Sequence, residues 1–545
     1  MNFKRITVLA ILLISLVSGC KLQKEEKVFD WNNATVYFLL TDRFHNGNPD
    51  NDNNFGRGDD AKKLRQFMGG DIQGITQKVK EGYFNNLGVD ALWFSPVHEQ
   101  IHGSVDEGQG ETYAFHGYWI RDWTSMEPNF GTREDLAELV NVAHDNNIRI
   151  MLDIIINHTG PVTEKDPVWP SEWVRTEPQC TYEDYESTIF CTLVENLPDI
   201  RTESEEDVEL PKALRDKWKK EGRLQQELDE LDAFFERTGY PRAPKYYIIK
   251  WITDYIREFG IDGFRVDTVK HVEEDVWTIL AKEAKIAFNE WKEKNQEAIQ
   301  EDQEFFMLAE TYNYNINNGR MFSFGEKEVD FFAHGFDSQI NFGFKYDANN
   351  HYDKLFSTYD SLLHADLKNY TVMNYVSSHD DSHPFDKERE RTFESATKLM
   401  LTPGQVQIYY GDEIARPLQI EGAVGDVNLR SKMDWEDNSH EELRTHWQKL
   451  GQFRQRHPAV GAGKHQKISD SPYTFARTYN KKDYEDKVVV ALDITGDKAT
   501  IQVAPYFEDG TTLHDAYSKE EFKVKNGKVR FTDHMGIVLL EELKP

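Results

Sequence analysis

Two periodicities alternate along this chain. Apolar residues at Ile248, Trp251, Ile252, Tyr255, Ile256 and Phe259 recur at three- and four-residue spacing, which predicts a helix over 246–259 with one buried face, ended by Gly260. Immediately after it, 261–267 reads as extended, and alternation then places Gly263, Arg265 and Asp267 on one face and Phe264 and Val266 on the other. The same rhythm recurs elsewhere. Strands are predicted at 36–40, 91–95, 148–156, 305–309, 372–376 and 406–410, with helices at 75–87, 133–146 and 276–294. The run 148–156 is almost continuously apolar, as a strand buried on both faces is. This alternation predicts an α/β fold with a parallel sheet inside a layer of helices, and about eight repeats predict closure into a (β/α)8 barrel.

Two stretches break the rhythm. The segment 160–245 is far longer than an ordinary strand-to-helix loop. It carries Cys180, Cys191, many Trp, Tyr and Pro residues and a charged helical piece over 202–238, and it reads as a subdomain inserted after the third strand. The charge run within it reads as a solvated helix face. Beyond His457-Pro458 the texture changes to short alternating segments at 487–492 and 528–531, with turns at Asp509-Gly510 and Asn526-Gly527. That pattern predicts a C-terminal antiparallel β-sandwich. The expected division is a barrel over 35–159 and 246–461, an insert over 160–245 and a β domain over 462–545.

Lys4 and Arg5 precede an apolar run, 6–17, that is too short to span a membrane, so 1–20 reads as a signal peptide. Val17-Ser18-Gly19-Cys20 resembles the bacterial lipobox, which implies lipidation of Cys20 and a polar tether over 21–34. Gln23-Lys24-Glu25-Glu26 resembles the signal that carries some lipoproteins to the outer face of the outer membrane. In an exported chain disulfides persist, and Cys180 and Cys191 are predicted to pair; closing so short a loop contributes about 2 to 3 kcal/mol. The chain's 545 residues leave room for two or three domains, or for one barrel with additions. Its formal charge of -31 argues against a nucleic-acid partner and favours a neutral substrate.

Polar groups gather at one end of the predicted strands. Asp153, Asn157 and His158 close the third, Arg265 and Asp267 the fourth, Glu310 the fifth, and His379 and Asp380 follow the seventh. In parallel barrels that is the end where active sites form. A guanidinium beside Asp267 favours the carboxylate's charged form, which suits a nucleophile.

These residues lie in motifs that resemble the α-amylase family, glycoside hydrolase family 13. Asp153-Ile-Ile-Ile-Asn157-His158, Gly263-Phe-Arg265-Val-Asp267-Thr-Val-Lys270-His271, Leu-Ala-Glu310-Thr and Ser378-His379-Asp380 are similar to its four conserved regions in their proper order. Asn196-Leu-Pro-Asp199 is similar to a fifth, and Gly69-Gly-Asp71-Ile-Gln-Gly-Ile and Tyr409-Tyr-Gly-Asp-Glu413 resemble further family features. The resemblance implies a TIM barrel with Asp267 as nucleophile, Glu310 as general acid/base and Asp380 as transition-state stabiliser. His116, Tyr118, His158, Arg265 and His379 are implied at the cleaved sugar, with Lys270 and His271 on the leaving-group side. Two Ca2+ sites are also implied. One joins Asn157, Asp199, the His271 carbonyl and a carbonyl near Cys191; the other uses Asn46, Asn48, Asn51, Asp52, Gly69 and Asp71, similar to the N-terminal calcium loop of cyclodextrin glucanotransferases. Ser378 stands where chloride-dependent members carry Asn, so chloride activation is not expected.

The implied activity is retaining endo-hydrolysis of α-1,4 bonds in starch, glycogen or maltooligosaccharides by a lipid-anchored envelope protein, with glucan-uptake proteins of the outer membrane as candidate neighbours. A transglycosylating, maltogenic or neopullulanase-like activity is the alternative within the family. A non-catalytic glucan-binding lipoprotein is the alternative outside it.

Overall fold

The computed structural model describes residues 28–57, 61–106, 108–296, 303–496, 498–532 and 536–542. The expected signal peptide, the lipobox Cys20 and the tether as far as 27 lie outside these residues.

Eight parallel strands close into a barrel: β1 (Thr35–Leu39), β2 (Ala91–Phe94), β3 (Arg149–Ile154), β4 (Gly263–Val266), β5 (Phe306–Ala309), β6 (Ser338–Asn341), β7 (Thr371–Tyr375) and β8 (Gln405–Tyr409), each paired with its neighbours in sequence and β8 with β1. Seven of them are the predicted strands, shifted by a residue or two at their ends. The remaining one, β6, is not among those that the pattern predicts. Its sequence, Ser-Gln-Ile-Asn, has no apolar run, yet all four residues are buried. Asn341 offsets its burial by donating to Tyr359 Oη (3.0 Å) and Asn374 Oδ1 (2.9 Å), bonds that position alone does not announce.

The helices that pack outside this sheet follow the expected spacing. Pro244–Phe259 starts on a Pro at its first turn and ends at Gly260 in the left-handed region (φ 75°), where a Cβ is disfavoured. The helix expected over 75–87 is instead two pieces, Ile72–Lys80 and Tyr83–Asn86, because Gly82 (φ 73°) turns the chain between them. Likewise, the charged piece expected over 202–238 is Lys212–Glu221 and Leu224–Thr238, divided at the left-handed Gly222; 202–211 is not helical.

Within the long segment after β3, Val174–Arg175 pairs antiparallel with Asp199–Ile200, and His158 bridges to Asp199. Cys180 and Cys191 form the predicted disulfide, with Cα atoms 4.9 Å apart. At the C-terminal end a six-stranded antiparallel sheet and a two-stranded one, Ala499–Gln502 with Lys528–Phe531, enclose a separate apolar core that includes Val489, Leu513, Phe531 and Leu540.

Candidate active site

The carboxyl end of β4 sets the geometry. Asp267 N–H still donates to Ile154 O (2.9 Å), extending the ladder with β3, and the chain then turns sharply at Thr268. Thr268 is β-branched and sits at φ 51°, a strained conformation that persists only where its surroundings enforce it. Two hydrogen bonds do so: Thr268 N–H donates to Glu310 Oε2 (2.8 Å) and Val269 N–H to Glu310 O (3.0 Å). The turn thereby ties the residue after Asp267 to Glu310 at the end of β5.

Arg265 lies below both carboxylates and is 1% exposed. Register places it beside Asp153. Its Nη1 reaches Asp153 Oδ1 (2.8 Å) and Asp267 Oδ1 (2.7 Å), and its Nη2 lies 3.9 Å from Glu310 Oε2. Asp153 also accepts from Trp93 Nε1 (3.0 Å) and Tyr118 Oη (2.7 Å), so the buried cation meets a fully bonded partner.

The acids are not electrostatically alike. Burial pushes the Glu310 carboxyl up to about 8, with the Asp267 charge adding to the rise and Arg265 opposing it. Asp380 goes the other way. Desolvation disfavours its charge although the side chain is 49% exposed, but His379 Nε2 at 3.0 Å and Arg430 Nη2 at 2.5 Å outweigh that and hold its carboxyl below the usual range. Asp267, Glu310 and Asp380 thus face one cleft of about 590 Å3, together with His116, Tyr118, His158, Lys270 and His271.

Several contacts fix that lining. Tyr118 stacks on His379 with centroids 5.3 Å apart and planes at 15°, its N–H donates to His116 Nδ1 (3.0 Å), and His158 Nε2 donates to its carbonyl (3.2 Å). His271 Nδ1 donates to Thr188 O (2.9 Å), within the loop closed by the disulfide. Arg265 and His379 lie under the cleft floor, where they can act through Asp267, Tyr118 and Asp380.

Sequence reasoning missed four residues here. Arg430 binds Asp380, donates to His379 O (3.1 Å) and pairs with Asp426 (2.7 Å), on a turn of 3-10 helix without apolar periodicity. The exposed rings of Tyr182 and Tyr312 flank Lys270, whose Nζ lies 5.9 and 5.3 Å from their centroids. Tyr312 stands two positions beyond Glu310, the one signal from which it was legible.

Of the two predicted cation clusters, one adjoins the cleft through His271 and the other lies in the N-terminal loop. Asn157 Oδ1 is buried without a hydrogen-bond partner. Ile200 N–H donates to Asn157 O (2.8 Å), which brings the neighbouring Asp199 to the same place. Burial raises the Asp199 carboxyl well above the usual range; Arg175, 3.0 Å away, opposes the rise, while Glu203 and Glu273 add to it. In the N-terminal loop, Asn46 Oδ1 and Asn51 Oδ1 are also buried without partners. Asn46 Nδ2 donates to Asp52 (2.8 Å), Asp71 caps a helix by accepting from Gly74 N–H (2.6 Å), and Asn48 Oδ1 accepts from Asp50 N–H (3.2 Å). A Cβ on Gly69 would meet Asn46 and Asp52 within 3 Å. Both sets are oxygen donors of the kind Ca2+ takes; among the described residues no three Asp, Glu, His or Cys side chains converge on a metal position.

The family model described as "Alpha amylase, catalytic domain" matches residues 38–466. The chain is 36% identical over 526 residues to the periplasmic alpha-amylase of Escherichia coli (strain K12), covering 85% of this chain and 72% of that one. It is 28% identical over 464 residues to a cyclomaltodextrin glucanotransferase of Niallia circulans, covering 82% of this chain but 57% of the relative. Among solved structures, an Anoxybacillus alpha-amylase gives a TM-score of 0.64 at 23% identity, covering 95% of this chain and 100% of that one, a likeness of fold. With the catalytic-domain model matched from β1 into the C-terminal sheet and a relative above a third identical, the chain belongs to the alpha-amylase family and is an enzyme of that type.

Proposed function

We propose that the protein hydrolyses internal α-1,4-glucosidic bonds of starch, glycogen or maltooligosaccharides with retention of configuration. One observation carries this reading: Glu310 is held protonated to about 8 while hydrogen-bonded to the turn that follows Asp267, and Asp267 is bound to a buried arginine. A retaining glycosidase needs this pairing of an acid with an ionised nucleophile. Asp267 attacks the anomeric carbon as Glu310 gives its proton to the departing oxygen, which breaks the glycosidic bond and leaves a glycosyl ester on Asp267. Glu310, now a carboxylate, takes a proton from water; that water attacks the same carbon and frees Asp267.

Asp380 supplies fixed negative charge beside the oxocarbenium-like transition state. Tyr118, backed by His379, offers a flat face to the sugar being cleaved; His116 and His158 bond its hydroxyls, and Lys270 and His271 hold the leaving chain. Digestion of maltoheptaose, with products resolved by length, tests the reaction type. Only shorter sugars are expected. Products longer than the substrate would instead assign transglycosylation, the activity for which the Niallia circulans relative is named.

Calcium fits both donor sets, with Asn157, Asp199 and the His271 carbonyl at one and Asn46, Asn48, Asn51, Asp52, Gly69 and Asp71 at the other. A bound divalent cation there would neutralise acids that otherwise repel and tie 157–199 to the turn after β4. Removing it with a chelator is expected to lower the melting temperature by several degrees, since a ligand at a hundredfold its Kd contributes about 2.7 kcal/mol. Ca2+ should restore the loss and Mg2+ should not. An unchanged melting temperature after exhaustive chelation would overturn the assignment.

For location we propose the bacterial envelope, with the chain lipid-anchored through Cys20 at the outer membrane, facing the periplasm or the surface. The lipobox-like residues support this, as does the relative named as periplasmic. No helix among the described residues is long and apolar enough to cross a membrane.

A further inference from the structure

The segment after β7 carries two acids in tandem, and their side chains part. Asp380 lines the carboxylate cleft, whereas Asp381 is buried, with 6% of its surface exposed. Residues 376–386 form neither helix nor strand. The loop is closed by Phe385 N–H donating to Val376 O (2.8 Å), and side chains hold the residues between. Asp381 is gripped from three sides. Its Oδ2 accepts from Tyr375 Oη (2.7 Å), at the end of β7, and pairs with Lys345 Nζ, on the short helix Phe344–Asp347 that follows β6. Its Oδ1 accepts from His383 N–H (3.0 Å) across the turn.

Lys345 is as deeply buried as its partner. Taking both charges out of water offsets most of their mutual attraction, so such a pair adds little net stability that an apolar pair would not. What it does is fix geometry. Consecutive Cα atoms are about 3.8 Å apart, so a grip on Asp381 is passed directly to the backbone of Asp380. On the cleft side, Arg430 Nε donates to His379 O (3.1 Å) and its Nη2 pairs with Asp380 Oδ1 (2.5 Å). Asp380 is therefore held at its carboxylate by Arg430 and His379 and at its backbone, from behind, by the bonds that Asp381 makes. Lys345, Tyr375 and Asp381 lie outside the motifs that carry the family resemblance.

We infer that Lys345 and Asp381, together with Tyr375, are positioning residues that hold Asp380 where charge develops on the sugar. The inference rests on the role proposed for Asp380.

Kinetics on maltoheptaose and crystal structures of the same variants test it. Because Asp380 acts on the transition state more than on bound substrate, loosening it should lower kcat and leave KM within about twofold of the parent. Lys345→Met is expected to lower kcat about 10- to 100-fold, the scale of a misplacement of about 1 Å. Tyr375→Phe removes one grip and no charge and should lose about three- to tenfold. It carries the same comparisons if removing one partner of the buried pair unfolds the chain. In a background that already holds Asp380→Asn, either change should alter kcat by less than about twofold, since the residue it positions is gone. Losses that recur in full in that background, or a KM that rises as kcat falls, would overturn the inference. The crystal structures separate it from the reading of the cleft. A parent that does not cleave maltoheptaose would refute that reading, whereas an Asp380 carboxylate still seated on Arg430 and His379 in both variants would refute positioning by Lys345 and Tyr375, whatever the activity.

Discussion

Asp267→Asn is expected to lose hydrolysis by roughly 10^4-fold or more in kcat, the scale seen when a covalent nucleophile is removed, with the fold intact. The substitution keeps size and shape, and an amide oxygen can still accept from Arg265, 2.7 Å away. What disappears is the negative charge that attacks the anomeric carbon. Because the cleft lining is otherwise unchanged, the variant should still bind maltooligosaccharides and so separate binding from chemistry. Kinetics on purified variant, beside its thermal melt and a maltoheptaose titration, checks all three. Activity within tenfold of the parent would remove Asp267 from the role assigned to it.

Glu310→Gln should lower kcat by about 10^2- to 10^4-fold, the usual contribution of a positioned acid/base. Its pH behaviour is more diagnostic than its size. In the parent, Glu310 must carry a proton to act first as acid, so activity is full below about 8 and is lost as pH rises through that value. The variant has no such group, and the alkaline limb owed to it should vanish from what activity remains.

Stability gives an independent reading of the same shift. Burial raises the folded carboxyl from 4.5 to about 8. Between those values the unfolded chain has released a proton that the folded chain keeps, so stability falls as pH rises across that window. Glu310→Gln lacks that slope and should gain melting temperature relative to the parent on going from pH 5 to pH 8. A parent and variant whose melting temperatures run parallel over that range would contradict burial as the cause of the shift.

Much of this site is legible in the sequence, and for a physical reason. Most strands of this barrel are near-continuous apolar runs, so Asp153, Arg265, Asp267 and Glu310 stand out at or near the ends of such runs. The strand-end rule then brings together residues that are distant in sequence. The chain hid what depends on polar burial or on irregular backbone. β6 is Ser-Gln-Ile-Asn, and its side-chain bonds to Tyr359 and Asn374 exist only once the barrel has closed. Thr268 gives no sign in sequence of a left-handed turn, because the bonds from 268 and 269 to Glu310 that enforce it come from another strand. Arg430 and Asp426 sit on a short 3-10 turn with no periodicity to mark them, although Arg430 reaches Asp380 directly. Glycines at 82 and 222 divided helices whose apolar spacing ran on across the break.

The central claim is that one carboxylate bonds to the sugar while a second, protonated one releases the leaving group, so that two inversions restore the starting configuration. Proton NMR of the first minutes of maltoheptaose digestion reads that outcome before the product mutarotates. An initial excess of the α-anomer is expected. An initial excess of the β-anomer would mean that water attacks the anomeric carbon directly, and would contradict both the covalent role of Asp267 and the double role of Glu310.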